Sequence, residues 1–231
     1  MKAIAFSSYG PPDVLQLIDL PDPHPRAGQV RIRVRTAGVQ PFDARLRSGW
    51  RPAGAPDSFP RVPGNEYAGV VDEVGTGVTG WSVGDEVLGF GTLNSYAELL
   101  VTPADQIVAK PETMPWEVAG GFTAGAQTSH LALTSLGVGR GDTVLIHAAA
   151  GTVGTVAVQL AQLWGASVIG TASAANRDYL RALGAIPVTY GDGLVDRVRT
   201  VAPAGVDAAL DAAGGEALTA SLELVSNRAG F

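Results

Sequence analysis

DTVLIHAAAGTVGTVAVQLAQLWGA, residues 142–166, reads as a buried strand, a glycine turn and a helix in direct succession. Val144, Leu145 and Ile146 form the short apolar run that a parallel sheet covers on both faces. Small residues then crowd Ala148 to Gly154 into a tight turn. Val156, Val158, Leu160, Ala161 and Leu163 follow at helical spacing, and Gly165 supplies the stop. A strand that turns on glycines into a helix N-terminus makes an anion site, because the free N–H groups and the helix dipole both point at the ligand. Ala149 stands where the dinucleotide fingerprint has its first glycine, leaving A-x-G-x-x-G. Gly151 would let the backbone approach a pyrophosphate, and Gly154 would let the helix pack close to the strand. Ala150, Gly151, Thr152, Val153 and Gly154 are therefore the expected phosphate-side contacts.

Further strand–helix units follow this one. Strands are expected at 143–149, 167–172, 186–190 and 206–211, and helices at about 152–164, 174–183, 192–201 and 215–226. Alternation of this kind builds a parallel sheet with crossover helices. Four complete strands and at most the start of a fifth can be counted, fewer than the six of a whole dinucleotide fold, so the sheet reads as C-terminally truncated.

Toward the N-terminus the texture is β. Val30, Ile32 and Val34 alternate with Arg31, Arg33 and Arg35, which predicts a half-exposed strand with its arginines on a solvated face. MKAIAFSSYG, LQLIDL, YAGVVDEVG, DEVLGFG and SYAELLVTPADQIVAK are further strand-like runs, and Gln40 to Pro63 reads as a loop region. Many short strands with Gly/Pro turns suggest a small barrel or sandwich. A small-residue helical segment, PWEVAGGFTAGAQTSHLALTSLG, joins the two regions, with Gly137 as its stop. The expected domains are residues 1–115 and 116–231, with the boundary near 112–120.

The chain has 231 residues, of which 46% are hydrophobic, ample for a sizeable core. Its net charge of −6 gives no electrostatic footprint for nucleic acid or an anionic membrane surface. There are no cysteines, which removes disulfides and thiolate metal sites. No stretch approaches the roughly 20 apolar residues of a membrane span, and the N-terminus lacks the apolar run of a signal peptide. A cytoplasmic protein is the expectation.

Several segments, in order, resemble one family. MKAIAFSSYGPPDVLQL is similar to its opening strand and loop, and AGVQPFDARLRSG, residues 37–49, to its substrate loop. PGNEYAGVVDEVGTGVTGWSVGDEVLGF, residues 63–90, resembles its most distinctive segment, HAAAGTVGTVAVQLAQLWGA its phosphate turn, and GVDAALDAAGGEALTASLELV its late strand and helix. The chain thus resembles the zinc-independent quinone oxidoreductase branch of the medium-chain dehydrogenase/reductase superfamily. That resemblance implies an α/β chain with an N-terminal GroES-like β-barrel and a Rossmann domain, with the active site in the cleft between them. It implies hydride transfer from a nicotinamide cofactor to a quinone or an α,β-unsaturated carbonyl, and a homodimer contact built by later strands of the family. Where zinc-dependent relatives carry a cysteine and a histidine, this chain has Gln40 and Asn65, so no zinc is expected.

The resemblance places Gln40 near the nicotinamide and the substrate carbonyl, where an amide would donate to developing charge. A polar loop residue is the competing reading. Asp43 fits a structural turn. Tyr67 is a candidate proton donor, against a half-buried strand tyrosine. Thr128 matches a family threonine facing the nicotinamide. His130 reads as a helix-surface histidine beside Ser129, and His147 as a satisfied core histidine. The second strand ends Ile169-Gly170-Thr171-Ala172-Ser173 without the carboxylate that would bind a ribose hydroxyl, and Arg177 follows. Hydroxyls plus a guanidinium suit a 2′-phosphate, so NADPH is the expected cofactor. The family also places a tyrosine after the third strand, matching Tyr190. Asp211 is either near the ligand edge or a turn cap. Two rival readings stay open: a trans-acting enoyl-thioester reductase, and a truncated nucleotide-binding chain without turnover.

Overall fold

The computed structural model describes residues 1–51 and 58–225. Part of the expected substrate loop, 52–57, and the tail beyond Val225 lie outside the described residues. The chain forms two compact units, Met1–Ala124 and Gly125–Phe231.

In the first unit, β1 (Lys2–Ala5) pairs antiparallel with β2 (Gln16–Asp19). β3 (Gln29–Ala37), α1 (Pro41–Arg47), β4 (Glu66–Val74), β5 (Glu86–Phe90), β6 (Leu99–Pro103) and β7 (Ile107–Ala109) follow. These strands make a five-stranded antiparallel sheet in the order β6-β3-β4-β5-β7. The alternation in β3 buries Val30 and Ile32 fully, against Val71, Val87, Leu100 and Ile107. Arg33 and Arg35 are exposed as expected, but Arg31 is not on a solvated face. Its guanidinium is paired with Asp72 at 2.8 Å and Glu73 at 2.7 Å, both on the neighbouring β4.

Two local expectations are corrected. The region from Gln40 is not all loop, because α1 occupies Pro41–Arg47. Proline at the first helical position is pre-set for a helix start, and the Asp43 carboxylate accepts from the Gln40 N–H at 2.8 Å, closing the first turn. The segment after Pro115 is not one helix but two, α2 (Trp116–Ala119) and α3 (Thr123–Ser135). Gly120 lies in the break, where an added Cβ would come within 2.4 Å of Thr36 Oγ1.

In the second unit, β8 (Thr143–His147), α4 (Thr152–Leu163), β9 (Ser167–Ala172), α5 (Arg177–Ala182), β10 (Ile186–Thr189), α6 (Leu194–Val201), β11 (Ala208–Asp211) and α7 (Glu216–Leu224) alternate as read. The sheet is parallel, in the order β10-β9-β8-β11. Successive residues of β8 serve opposite faces. Val144 and Ile146 pack with Ala157, Val158 and Ala161 of α4 and Leu180 of α5. Leu145 packs with Leu194 and Val198 of α6 and Ala220 and Leu224 of α7. A sheet covered on both sides requires strands that are apolar throughout, which is why these runs carry little polar alternation.

Candidate active site

β8 passes into α4 through a turn in which Ala148 holds a left-handed φ of +52° and Gly151 N–H bonds Ala148 O at 2.9 Å. Gly151 is the N-cap, and the first helical bond runs from Thr155 N to Gly151 O at 2.8 Å. The N–H groups of Thr152, Val153 and Gly154 therefore have no helical carbonyl to meet, and they make the donor set of an anion site. Gly154 does the packing expected of it: a Cβ there would fall 2.4 Å from Ala148 O and 2.5 Å from Ala149 Cα. Ala149 is fully buried and its N–H extends the β8–β9 ladder to Thr171 O at 2.9 Å, so that position packs rather than turns.

Because β8, β9 and β10 are neighbours, their C-terminal ends lie along one edge. That edge carries the Ala150–Gly154 turn, Thr171, Ser173 and Tyr190. A pocket of about 600 Å³ opens there, lined by His147, Ala148, Thr171, Tyr190, Gly191 and Gly214 among others. Thr171 and Tyr190 thus share a cavity. Ser173 lies outside that lining and precedes a short turn, its carbonyl accepting from Asn176 N–H at 3.0 Å, and Arg177 is exposed at the start of α5 without an ion-pair partner among the described residues. No carboxylate stands at the end of β9. Free helix N–H groups at the C-terminal edge of a parallel sheet fit a nicotinamide dinucleotide.

His147 is satisfied as expected, with Nδ1 3.0 Å from Thr171 Oγ1 and Nε2 3.0 Å from Ser221 Oγ. Burial pushes its pKa down, against the pull of Asp211. Asp211 itself is a turn cap, accepting from the N–H groups of Ala213 and Gly214 at 2.8 Å each. Thr128 and His130 are exposed on α3, and His130 meets Trp164 edge-on at 5.8 Å between ring centroids. Between them Ser129 is fully buried, and its hydroxyl bridges Gly125 O at 2.7 Å and Val153 O at 2.8 Å. This tie from α3 to the first turn of α4 was missed in the sequence, where the only signal was the run of small residues around Gly125.

In the first unit, Gln40 is half-buried and its Nε2 donates to Glu66 Oε1. Glu66 is fully buried and its other oxygen accepts from Ala124 N–H at 2.8 Å. Glu66 was not singled out by sequence, although its place two residues after Gly64 made it readable. One amide hydrogen of Gln40 is thereby committed, and the second has no partner among the described residues. Asp43 is structural: besides Gln40 N–H it takes Gly64 N–H at 2.9 Å and the Tyr96 hydroxyl at 3.0 Å. Burial and the adjacent Asp43 carboxylate hold the Tyr96 phenol above its usual pKa. Asn65 is buried, and its Oδ1 has no hydrogen-bond partner among the described residues. Tyr67 is 2% exposed, packed with the β3–β6 core, and burial pushes its pKa up to about 12. Burial in that apolar core fits the reading of Tyr67 as a strand tyrosine rather than as a proton donor.

Comparison with known proteins agrees with this architecture. Residues 26–112 match the alcohol dehydrogenase GroES-like domain, and residues 152–230 match the zinc-binding dehydrogenase family. Among curated proteins, polyketide synthase GfsB of Streptomyces halstedii is 40% identical over 209 residues, covering 88% of this chain and 4% of that protein. The chain spans about half the length of the other curated relatives it matches, 54% for the quinone oxidoreductase of Pseudomonas aeruginosa. Among solved structures, the quinone oxidoreductase of Coxiella burnetii is 34% identical with a TM-score of 0.84, covering 98% of this chain and 73% of that one. A mycobacterial protein complexed with NADPH is 36% identical with a TM-score of 0.88, covering 99% and 72%. The CurK enoyl reductase is 29% identical with a TM-score of 0.91, covering 97% and 70%. From its two matched domains, its two sheets and these relatives, the chain belongs to the medium-chain dehydrogenase/reductase superfamily, in the quinone-oxidoreductase-like branch.

Proposed function

We propose that this chain serves zinc-independent hydride transfer from NADPH to a quinone or another α,β-unsaturated carbonyl. The observation that carries the reading is the ligand edge of the parallel sheet. Three N–H groups at the start of α4 have no helical carbonyl, β9 ends in Thr171-Ala172-Ser173 with no carboxylate, and Arg177, exposed at the start of α5, has no ion-pair partner among the described residues. That set favours a 2′-phosphate over a bare ribose hydroxyl. The NADPH complex of a 36% identical structure supports the same choice.

The nicotinamide cofactor, when bound, supplies the hydride. The chain's own residues bind and orient. The Thr152–Gly154 N–H groups hold the pyrophosphate, Arg177 and Ser173 take the 2′-phosphate, and Tyr190 lines the adenosine side. Thr128 faces the nicotinamide. Gln40, with one amide hydrogen fixed on Glu66, offers the other to the oxygen that gains charge. No side chain among the described residues is assigned as an acid, and solvent would deliver the proton. Gln40 and Asn65 present amides where a zinc ion would need thiolate or imidazole. The partner is a small molecule, with neither nucleic acid nor membrane in the reaction, and the setting is the cytoplasm.

The test is to titrate NADPH and NADH separately, following nicotinamide fluorescence, and then to monitor NADPH oxidation with quinones and enones. Tighter NADPH binding with quinone-dependent oxidation is the expected result. Failure to bind either nucleotide refutes the reading. A second reading, reduction of enoyl thioesters, is favoured by the likeness to CurK. It is selected if enoyl thioesters oxidise NADPH and quinones do not.

A further inference from the structure

The imidazole of His147 sits at the end of β8, 1% exposed, between two hydroxyls that are themselves 1% exposed. Thr171 Oγ1 lies 3.0 Å from Nδ1 and Ser221 Oγ lies 3.0 Å from Nε2. Neither hydroxyl has another hydrogen-bond partner among the described residues. His147 and Thr171 both line the 600 Å³ pocket, and Glu216, Ala217 and Thr219 of α7, the helix that carries Ser221, form part of its wall. The other titratable groups around the ring are Asp211, opposite His147 in the β8–β11 register, and Tyr190, Glu216 and Glu223 in the pocket lining.

A neutral imidazole carries one N–H, and here its position has a consequence. With the proton on Nδ1, the ring donates to Thr171 and the Ser221 hydroxyl donates to Nε2. The Thr171 O–H is then free to donate into the pocket. With the proton on Nε2, the Thr171 O–H is spent on Nδ1 and the pocket meets only a lone pair. An anionic ligand favours the first arrangement and is repelled by the second. The two forms hold the same number of protons, so the exchange needs no change in net charge.

We infer that His147 is a positioning residue for nucleotide binding: its tautomer decides whether Thr171 donates to a phosphorylated ribose, and Ser221 links that choice to α7. This rests on the nucleotide binding along that sheet edge, as proposed above, and extends its site into the adjoining pocket that Thr171 and Tyr190 line. It assigns His147 a role in ligand choice that a purely packed histidine would not have.

The experiment is a double-mutant cycle on NADPH affinity, with His147→Gln, Thr171→Val and both together. It is paired with ¹⁵N spectra of the imidazoles, which are readable because the chain has 3 histidines. His147→Gln is expected to weaken NADPH binding about tenfold with Thr171 present and less than about twofold in the T171V background. NADPH is expected to move His147 to the Nδ1–H form. Ser221→Ala leaves no acceptor for an Nε2–H, so that variant is expected to hold the Nδ1–H form with or without NADPH, and it keeps the test alive if His147→Gln fails to fold. Equal losses in both backgrounds, an unchanged tautomer on binding, or an Nε2–H ring in the S221A variant overturns the inference alone. A wild-type chain that does not bind NADPH overturns it together with the cofactor reading.

Discussion

Replacing Gly154 by alanine tests the phosphate turn most directly. The new methyl would lie 2.4 Å from Ala148 O and 2.5 Å from Ala149 Cα. Both are backbone atoms of a turn whose Ala149 is fully buried, so neither can swing away. The start of α4 must retreat by roughly 1 Å to restore van der Waals separation. Overpacking of this kind costs about 1–3 kcal/mol, and the better helix propensity of alanine returns at most about 1 kcal/mol. A net loss of about 1–2 kcal/mol lowers Tm by about 2–8 °C. The same retreat carries the Thr152, Val153 and Gly154 N–H groups off their target, so NADPH affinity falls at least about tenfold, or 1.4 kcal/mol. Gly151→Ala is the control. Its φ of −83° suits any residue, and its Cβ would meet only Ala148 O at 3.2 Å. That variant melts within about 1 kcal/mol of the parent yet still loses NADPH affinity if a phosphate approaches there. Melting curves and fluorescence titrations decide the matter. A Gly154→Ala chain that melts and binds as the parent does would refute the reasoning.

Four other outcomes are expected. Arg177→Ala weakens NADPH about tenfold and leaves NADH unchanged, because only a 2′-phosphate needs the guanidinium; calorimetric titration with both nucleotides checks it. Gln40→Ala lowers quinone-dependent turnover by about tenfold or more at unchanged NADPH affinity, since it removes a donor to developing charge; steady-state kinetics would contradict this if kcat were preserved. Asp43→Ala strips the acceptor from three donors and costs about 2–3 kcal/mol in urea unfolding. Tyr67, with its folded pKa raised to about 12 against about 10 unfolded, contributes stability that is complete below pH 10 and is lost as pH rises from about 10 to 12. Ultraviolet titration should show one tyrosine of the folded chain ionising late, and Tyr67→Phe should remove that part of the alkaline loss.

Much of the architecture was legible because its signals are local. The apolar run Val144–Ile146, the small turn and the helical spacing to Leu163 each need only neighbours in sequence. The alternation in β3 likewise announces Val30 and Ile32 as core. What escaped depends on contacts across the chain. α1 lay hidden in a stretch rich in Pro, Gly and Arg, since a seven-residue helix offers two turns of periodicity at most. Arg31 looked solvated because Asp72 is 41 residues away. Tyr67 stayed open between two readings because the first half of β4 is buried at successive positions, where a polar handle gives no sign of which way it points. The candidate site divides the same way. The A-x-G-x-x-G turn declares itself, but the partnership of His147 with Thr171 and Ser221 spans 24 and 74 residues. Nor could the sequence show that one hydrogen of Gln40 is already spent on Glu66.

The Asp43 carboxylate has a consequence for how this family can vary. It holds Gln40 N–H and Gly64 N–H at once, so both ends of the intervening segment are pinned by one side chain. The acceptor itself sits in α1, inside the segment it closes, and Leu46 of the same helix is buried. Doubling the length of such a tethered segment costs only about 0.6 kcal/mol in closure entropy. Length changes that spare α1 and the buried Arg61 and Val62 therefore carry little closure cost, so the stretch expected to recognise substrate is free to diversify without loss of the pin.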